Sequence, residues 1–144
     1  MLDEHSVPAY QLLPDMAYNY ITCPTFEPGS HFDVFALGTP ALHKKNNRHT
    51  VIQLLEKRLF SDIFSDLNIR PPFYSEQAIL FCFENTTILK ISEEELPIVT
   101  EAIWGKALSV DTALVRLAQQ CPQLRCIVIT RGANGSLTLD CHSL

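Results

Sequence analysis

Apolar positions along the chain follow two patterns, one typical of buried strands and one typical of amphipathic helices. Short apolar runs of strand length alternate with segments whose apolar residues recur every three to four positions. Strands joined by helices in this way lie parallel and are linked by right-handed crossovers. After the last run, Asn134-Gly135 is a strong turn signal that predicts an antiparallel hairpin with the segment 136–140. The predicted parallel strands are residues 32–37, 62–67, 88–91 and 126–130.

Helices are predicted between these strands. The segment 50–59 has a regular apolar stripe, and Ser75 is a typical N-cap for the helix that follows it. The remaining predictions are helices at 95–103 and 109–120, an extended segment at 7–13 and a further helix at 15–21.

Polar residues collect where the predicted strands end. Asp66, Asn68 and Arg70 follow the second strand at alternate positions. Ser92-Glu93-Glu94-Glu95 follows the third strand, and Thr130-x-Gly132-x-x-Gly135 follows the fourth. Because ligands of parallel sheets bind beyond the carboxyl ends of the strands, these clusters are expected to share one crevice.

Each cluster also has a purely structural interpretation. Asp66 and Asn68 are common turn formers, and glutamates 93–95 suit the first turn of a helix. Closely spaced glycines at 132–135 suit a hairpin turn as well as the approach of phosphate to backbone amides. The basic residues between His43 and His49 form either a solvated loop or a surface that phosphate approaches.

Composition excludes several classes of protein. With 144 residues, 47% hydrophobic and 19% charged, the chain is expected to be one globular domain. A net charge of −5 argues against a nucleic-acid binder. The five cysteines show no Cys-x-x-Cys spacing, so neither a disulfide framework nor a zinc site is predicted. Without a membrane-length apolar run or a signal-peptide pattern, the expected location is cytoplasmic, with no membrane partner.

Several ordered blocks resemble fructokinase-type sugar kinases of the ribokinase (PfkB) family. The central blocks are Asp66-x-Asn68-x-Arg70-Pro71-Pro72-x-Tyr74-Ser75 and Ile88-Leu89-Lys90-Ile91-Ser92-Glu93-Glu94-Glu95-Leu96. Gly38-Thr39 upstream and Thr130-x-Gly132-x-x-Gly135 downstream extend the resemblance over most of the chain. It implies an α/β, partial ribokinase-like fold with a mostly parallel sheet, flanking helices and a C-terminal hairpin. Residues 1–144 would then form one partial PfkB-type carbohydrate kinase domain.

The resemblance also implies roles for the polar clusters. Asp66, Asn68 and Arg70 would border the sugar and phosphate-transfer pocket. The family reads Lys-x-Asn-x-x-Glu in the second cluster, and Ser92 replaces the asparagine with a shorter hydroxyl that cannot present the same carbonyl. The implied ligands are ATP, magnesium and a sugar, or none of them if the fragment has lost binding. The residues placed on the nucleotide and magnesium side are Lys90, Ser92, Glu95, Thr130, Gly132 and Gly135.

Two blocks of the family have no counterpart in these residues. One is the early sugar-binding segment, and the other is the Gly-Ala-Gly-Asp block that supplies the general base and the anion hole. No catalytic residue is therefore assigned. We expect the chain to be the central fragment of an ATP-dependent sugar kinase that is truncated or split. This fragment would be inactive alone, and any activity would need an oligomer or a complementing fragment. The alternative is a degenerate, non-catalytic binding or structural domain derived from such a kinase.

Overall fold

Five strands form one sheet in the order in which they occur along the chain. The computed structural model describes residues 13, 15–71 and 73–143. Strands β1 to β4 are parallel, and β5 runs antiparallel to β4. The predicted α/β fold with a mostly parallel sheet and a C-terminal hairpin is confirmed. The strands are β1 (Phe32–Leu37), β2 (Phe60–Asp66), β3 (Ile88–Ser92), β4 (Cys126–Thr130) and β5 (Ser136–Asp140).

Four α-helices connect the parallel strands. Because consecutive strands are neighbours in the sheet, crossovers of one hand place all four helices on the same face. The predicted N-cap of the second helix is correct, since the Ser75 hydroxyl accepts a hydrogen bond from the Ala78 amide at 3.2 Å. The helices are α1 (Lys45–Glu56), α2 (Glu76–Asn85), α3 (Leu96–Trp104) and α4 (Val110–Gln120). No helix in the described ranges is long and apolar enough to cross a membrane.

The face of the sheet beneath the helices carries the hydrophobic core. Leu89 and Ile91 of β3 pair with Ile127 and Ile129 of β4, and all four side chains are buried. Residues of all four helices join the same cluster. Alternate strand residues point to the opposite face, which no helix of the described part of the chain covers. We call this second surface the open face; on β1 to β4 it includes Val34, Ala36, Phe64, Asp66, Ile88, Lys90 and Val128.

Helix α1 begins earlier and ends earlier than the predicted helix at 50–59. Its buried positions are Asn47, Thr50, Val51 and Leu54, which have the spacing of an amphipathic helix but begin with two polar residues. A pattern of apolar residues alone therefore misses the first turn. The end is set by the backbone, because Arg58 adopts a left-handed φ of 52° that cannot continue the helix.

Asn47 ties the N-terminal segment to helix α1. Its buried side-chain amide donates to the carbonyls of Tyr18 at 2.7 Å and Ala41 at 2.9 Å. Its side-chain oxygen accepts from the amide of Ile21 at 2.9 Å, and the Thr50 hydroxyl donates to the Ile21 carbonyl at 2.9 Å. Every polar atom of the buried Asn47 side chain is thus bonded.

The predicted helix at 15–21 is wrong. Only a single 3-10 turn, Ala17–Asn19, is present. Asp15 has a left-handed φ of 55°, and the main-chain groups of Tyr18 and Ile21 bond to α1 instead of to one another. The extended segment predicted at 7–13 lies outside the described residues except for Leu13, which is not in a strand.

The five cysteines are all free thiols. Cys82 on α2 is fully buried, and this burial raises the pKa of its thiol to about 12. Burial also raises the pKa of Cys121, Cys126 and Cys141. The thiolate is the reactive form, so a raised pKa makes these four thiols poor nucleophiles near neutral pH.

Replacing Asn47 by alanine is expected to lower the free energy of unfolding by about 3 kcal/mol, because buried main-chain groups lose their partners. Urea unfolding of purified protein measures the effect. Asn46→Ala is the matched control, since Asn46 is exposed on the same helix and should change stability by less than about 0.5 kcal/mol. Equal losses in the two variants would contradict the role of Asn47.

Cys82 is expected to resist iodoacetamide in the folded protein at pH 8, because its thiol stays protonated until the pH nears its raised pKa. Mass spectrometry of digested protein should find it modified only after unfolding. The half-buried Cys23 serves as the internal comparison and should react in the folded state. Modification of both thiols at one rate in folded protein would show that α2 does not pack as described.

Candidate functional site

The three predicted polar clusters lie at the carboxyl edge of the sheet. Asp66 at the end of β2 pairs with Lys90 of β3, and Ser92 at the end of β3 pairs with Thr130 of β4. Parallel pairing thus brings together residues that are more than twenty positions apart in the sequence. Gly132 lies two residues after Thr130 in the loop that leads to β5.

Gly38 lets the ends of β1 and β2 approach each other closely. A Cβ atom at this position would lie 2.5 Å from the carbonyl oxygen of Asp66, so only glycine fits without a shift of the backbone. Thr39 then fixes the approach, because its amide and its hydroxyl both donate to the Leu67 carbonyl, at 3.0 and 2.8 Å. A shallow hollow of about 360 Å³ beside this contact is lined by Gly38, Phe64, Asp66 and Asn68, among others.

Asp66 and Lys90 form an ion pair across the edge. The ammonium group of Lys90 donates to both carboxylate oxygens of Asp66 at 2.8 Å. The two side chains are 40% and 34% exposed, so solvent reaches the pair from one side. The carboxylate that lines the hollow is therefore neutralised within the protein.

Glu95 connects the loop after β2 with the loop after β3. One carboxylate oxygen accepts from the Ile69 amide at 2.6 Å, and the other accepts from the Ser92 amide at 2.9 Å. The Ser92 hydroxyl in turn accepts from the Glu95 amide at 3.1 Å. Ser92 and Glu95 thus exchange the two bonds of a capping box at the entry to α3.

A glycine-containing loop, residues 131–135, follows β4. Gly132 and Gly135 have left-handed φ values of 55° and 82°, and a Cβ at either glycine would meet no atom within 4 Å. The Arg131 side chain lies 3.5 Å from a carboxylate oxygen of Glu93, and the Glu93 amide donates to the Thr130 carbonyl. The loop therefore presents exposed backbone beside a cationic side chain.

The remaining predicted residues are exposed. Asn68 adopts a left-handed φ of 46° and lines the hollow, which fits its interpretation as a turn former. Arg70 is exposed and forms no ion pair within the described residues. In the basic segment, the Lys44 ammonium lies 3.9 Å from Asp15, and Arg48 donates to Gln77 at 2.9 Å.

The sequence did not indicate that both carboxylate oxygens of Glu95 accept hydrogen bonds from backbone amides. The spacing Ser92-x-x-Glu95 is the signature of a capping box, and it was the signal available for this local bond. The bond to Ile69 had no local signal, because it joins residues 26 positions apart. Asn47 was missed for the same reason.

The model of the pfkB family carbohydrate kinases matches residues 25–143. The chain belongs to this family. The match includes all five strands and all four α-helices, and it confirms the resemblance drawn from the sequence blocks. A search of curated proteins finds no match.

Solved structures of pfkB-type kinases share the fold. Fructokinase from Vibrio cholerae O395, bound to fructose, ADP and calcium, has a TM-score of 0.66 at 22% identity over 82% of this chain and 37% of its own. Fructokinase from Xylella fastidiosa has a TM-score of 0.77 at 15% identity, covering 97% of this chain and 45% of its own. Aminoimidazole riboside kinase from Salmonella enterica, complexed with aminoimidazole riboside and an ATP analogue, has a TM-score of 0.69 at 18% identity over 90% and 43%. The chain thus spans less than half the length of each of these relatives.

The side chains at the edge do not fit a magnesium ion bound directly by the protein. Asp66 is paired with Lys90, Glu93 lies beside Arg131, and both oxygens of Glu95 accept amide protons. The described residues contain no group of three or more His, Cys, Asp or Glu side chains that would hold a metal. Hard cations prefer carboxylate oxygens that are free to bind them, and those of Asp66, Glu93 and Glu95 are engaged with other groups of the protein.

Replacing Glu95 by alanine is expected to lower the free energy of unfolding by about 2 kcal/mol, since the amides of Ile69 and Ser92 lose their acceptors. Hydrogen exchange should show a faster-exchanging Ile69 amide. The neighbouring Glu94→Ala is the matched control because Glu94 is exposed. If Ile69 exchanged equally slowly in both variants, Glu95 would not connect the two loops.

Proposed function

We propose that this chain is the central, nucleotide-side portion of a fructokinase-like, ATP-dependent sugar kinase. The family match over residues 25–143 carries the proposal, because it includes the whole carboxyl edge of the sheet. In this proposal Asp66, Asn68 and Arg70 border the sugar side, and the nucleotide side is formed by Lys90, Ser92, Glu95, Thr130, Gly132 and Gly135.

The proposed role of the 131–135 loop is to receive nucleotide phosphates. Gly132 and Gly135 leave open space where other residues would place a Cβ, so phosphate oxygens can approach the backbone. The side chain of Arg131, whose Nε lies 3.5 Å from a Glu93 carboxylate oxygen, brings a cationic group beside the same loop. Glu95 acts in this proposal as a positioning residue that holds the loops after β2 and β3 in place.

In the intact reaction, the γ-phosphoryl group of ATP moves to a sugar hydroxyl, whose proton must pass to a base. The carboxylates of this edge are poor candidates for that base. Asp66 is held by Lys90, and Glu95 accepts two amide protons. We therefore propose that the chain binds nucleotide without transferring phosphate when it is alone.

A second candidate function is a non-catalytic binding domain derived from such a kinase. Two observations favour it. The carboxylates of Asp66 and Glu95 bond to other groups of the protein, and Ser92 stands where the family pattern has asparagine. If such a domain is purely structural and keeps no nucleotide surface, neither ADP nor ATP would bind measurably.

Titration calorimetry with ADP, with and without magnesium, separates these candidates. Gly132→Ala is expected to weaken ADP binding about tenfold, since a Cβ would occupy space that the phosphates need. Gly29→Ala is the matched control: both glycines have positive φ and open surroundings, so both variants carry similar backbone strain. ADP binding that is equal in the two variants would argue against the loop as the phosphate site, and no binding at all would favour the second candidate.

A coupled assay of fructose phosphorylation should detect no turnover by the purified chain. Absence of a placed base costs about 10²–10⁴-fold, and absence of an anion-hole donor costs about 10²–10³-fold more. Magnesium-dependent turnover that disappears in Asp66→Ala would contradict the proposal and identify a catalytic carboxylate at this edge.

A further inference from the structure

Two ion pairs at the carboxyl edge of the sheet differ in how tightly they are closed. The Lys90 ammonium donates to both carboxylate oxygens of Asp66 at 2.8 Å. In the second pair, the Nε of Arg131 lies 3.5 Å from one carboxylate oxygen of Glu93, and this contact is not a hydrogen bond. A cation that donates twice to its partner is held more strongly than one in a loose pair. Arg131 is therefore better placed than Lys90 to receive an anionic ligand.

The Nε–H group of Arg131 is a buried donor without an acceptor. Its nitrogen is shielded from solvent and makes no hydrogen bond to any residue that the structure describes. A buried donor that lacks an acceptor costs free energy, and the cost is greater for a charged group. An anionic oxygen that reached this nitrogen would remove that cost. The guanidinium thus has an unused donor, which can be satisfied only when the groups around it rearrange.

The backbone around this pair is fixed, whereas its side chains are not. The Arg131 amide donates to the Gly135 carbonyl at 2.8 Å, and its carbonyl accepts from the Asn134 amide at 3.0 Å. The Glu93 amide donates to the Thr130 carbonyl at 2.9 Å. The side chains of Arg131 and Glu93 are 35% and 44% exposed, so water can solvate either of them. The two side chains can therefore separate without disturbing the ends of β3 and β4.

A phosphate group matches the guanidinium of Arg131 in shape and charge. Paired N–H groups of a guanidinium bind two oxygens of one anion. Gly132, the next residue, has open space where a Cβ would lie, so a bulky anion has room beside the arginine. A phosphate carries more negative charge than a carboxylate and has three acceptor oxygens. Phosphate should therefore displace Glu93 from the guanidinium.

We propose that Glu93 is an internal counter-ion of Arg131, which a nucleotide phosphate displaces when it binds. The Glu93 carboxylate turns to solvent, and a phosphate oxygen supplies the acceptor that the Nε–H group lacks. Arg131 then contacts the ligand, while Glu93 lowers the affinity for nucleotide because it competes for the same cation. The inference rests on the proposed function, since it takes the 131–135 loop as the phosphate site.

Titration calorimetry with ADP on the whole chain tests this exchange. Glu93→Gln keeps the size of the side chain but removes its charge, so ADP should bind about threefold more tightly. Arg131→Gln should weaken ADP binding about tenfold, because a charged hydrogen bond is lost. When Arg131 is already glutamine, Glu93→Gln should change the Kd by less than about 1.5-fold, since the two substitutions act through one contact.

Glu94→Gln is the matched control for Glu93→Gln. Glu94 is exposed in the same turn, and the ion pair of Arg131 is with Glu93. In about 0.15 M salt, Glu94→Gln should change the Kd for ADP by less than about 1.5-fold, because exposed charges are screened. A general gain from the loss of one negative charge would appear equally in both variants. Circular dichroism verifies that every variant keeps its fold.

Nuclear magnetic resonance follows the guanidinium directly. The Nε–H resonance of Arg131, assigned by its loss in Arg131→Gln, should shift when ADP is added to the wild-type chain. In Glu93→Gln, it should already be shifted before ADP is added, because the neighbouring carboxylate is gone. In Glu94→Gln, it should stay at the wild-type position.

The outcomes separate this inference from the proposed function. If Gly132→Ala weakens ADP binding while Glu93→Gln and Glu94→Gln bind ADP equally, the phosphate site stands and the counter-ion role of Glu93 is overturned. ADP binding by Arg131→Gln that equals the wild-type value would also overturn the inference and leave the phosphate site in place. A wild-type chain that does not bind ADP would overturn the proposed function and this inference together.

Discussion

Each parallel strand in this protein lies beside the strand that precedes it in the sequence, and this order determines where everything else goes. With crossovers of one hand, the helices collect on one face of the sheet and form the core with Leu89, Ile91, Ile127 and Ile129. The parallel pairing brings the carboxyl ends of β1 to β4 to one edge, where Asp66, Ser92 and Thr130 lie. It also leaves the opposite face without helices in the described part of the chain. The core, the candidate site and the open face are three consequences of one topology.

The strands could be predicted from the sequence because their apolar runs are short and bounded by turn residues. β1, β4 and β5 have the predicted bounds, and β2 and β3 differ by at most two residues. The start of α1 could not be predicted, because its first buried residue is Asn47, whose side chain makes three bonds to main-chain groups outside the helix. The helix predicted at 15–21 was wrong for the same reason, because main-chain groups of this segment bond to α1.

The sheet edge at which the candidate residues lie could be predicted from the sequence, but the bonding partners of their side chains could not. Strand ends locate polar residues at an edge whatever their partners are. That Asp66 is held by Lys90 and Glu95 by two amides depends on register and loop geometry, which no local pattern contains. The family blocks Asp66-x-Asn68-x-Arg70 and Lys90-x-Ser92-x-x-Glu95 are therefore preserved in spacing, while their carboxylates serve the fold.

The sequential order of the strands also bears on how the chain acquires its structure. Phe32 pairs with Phe60, Phe64 with Ile88, and Ile88 with Cys126, so each new strand needs only its immediate predecessor as a template. Because each pairing spans only one crossover, its cost of loop closure is lower than that of pairing strands from opposite ends of the chain. A chain emerging from the ribosome can thus add one strand and its helix at a time, from β1 towards β5, without waiting for a distant segment to be synthesised.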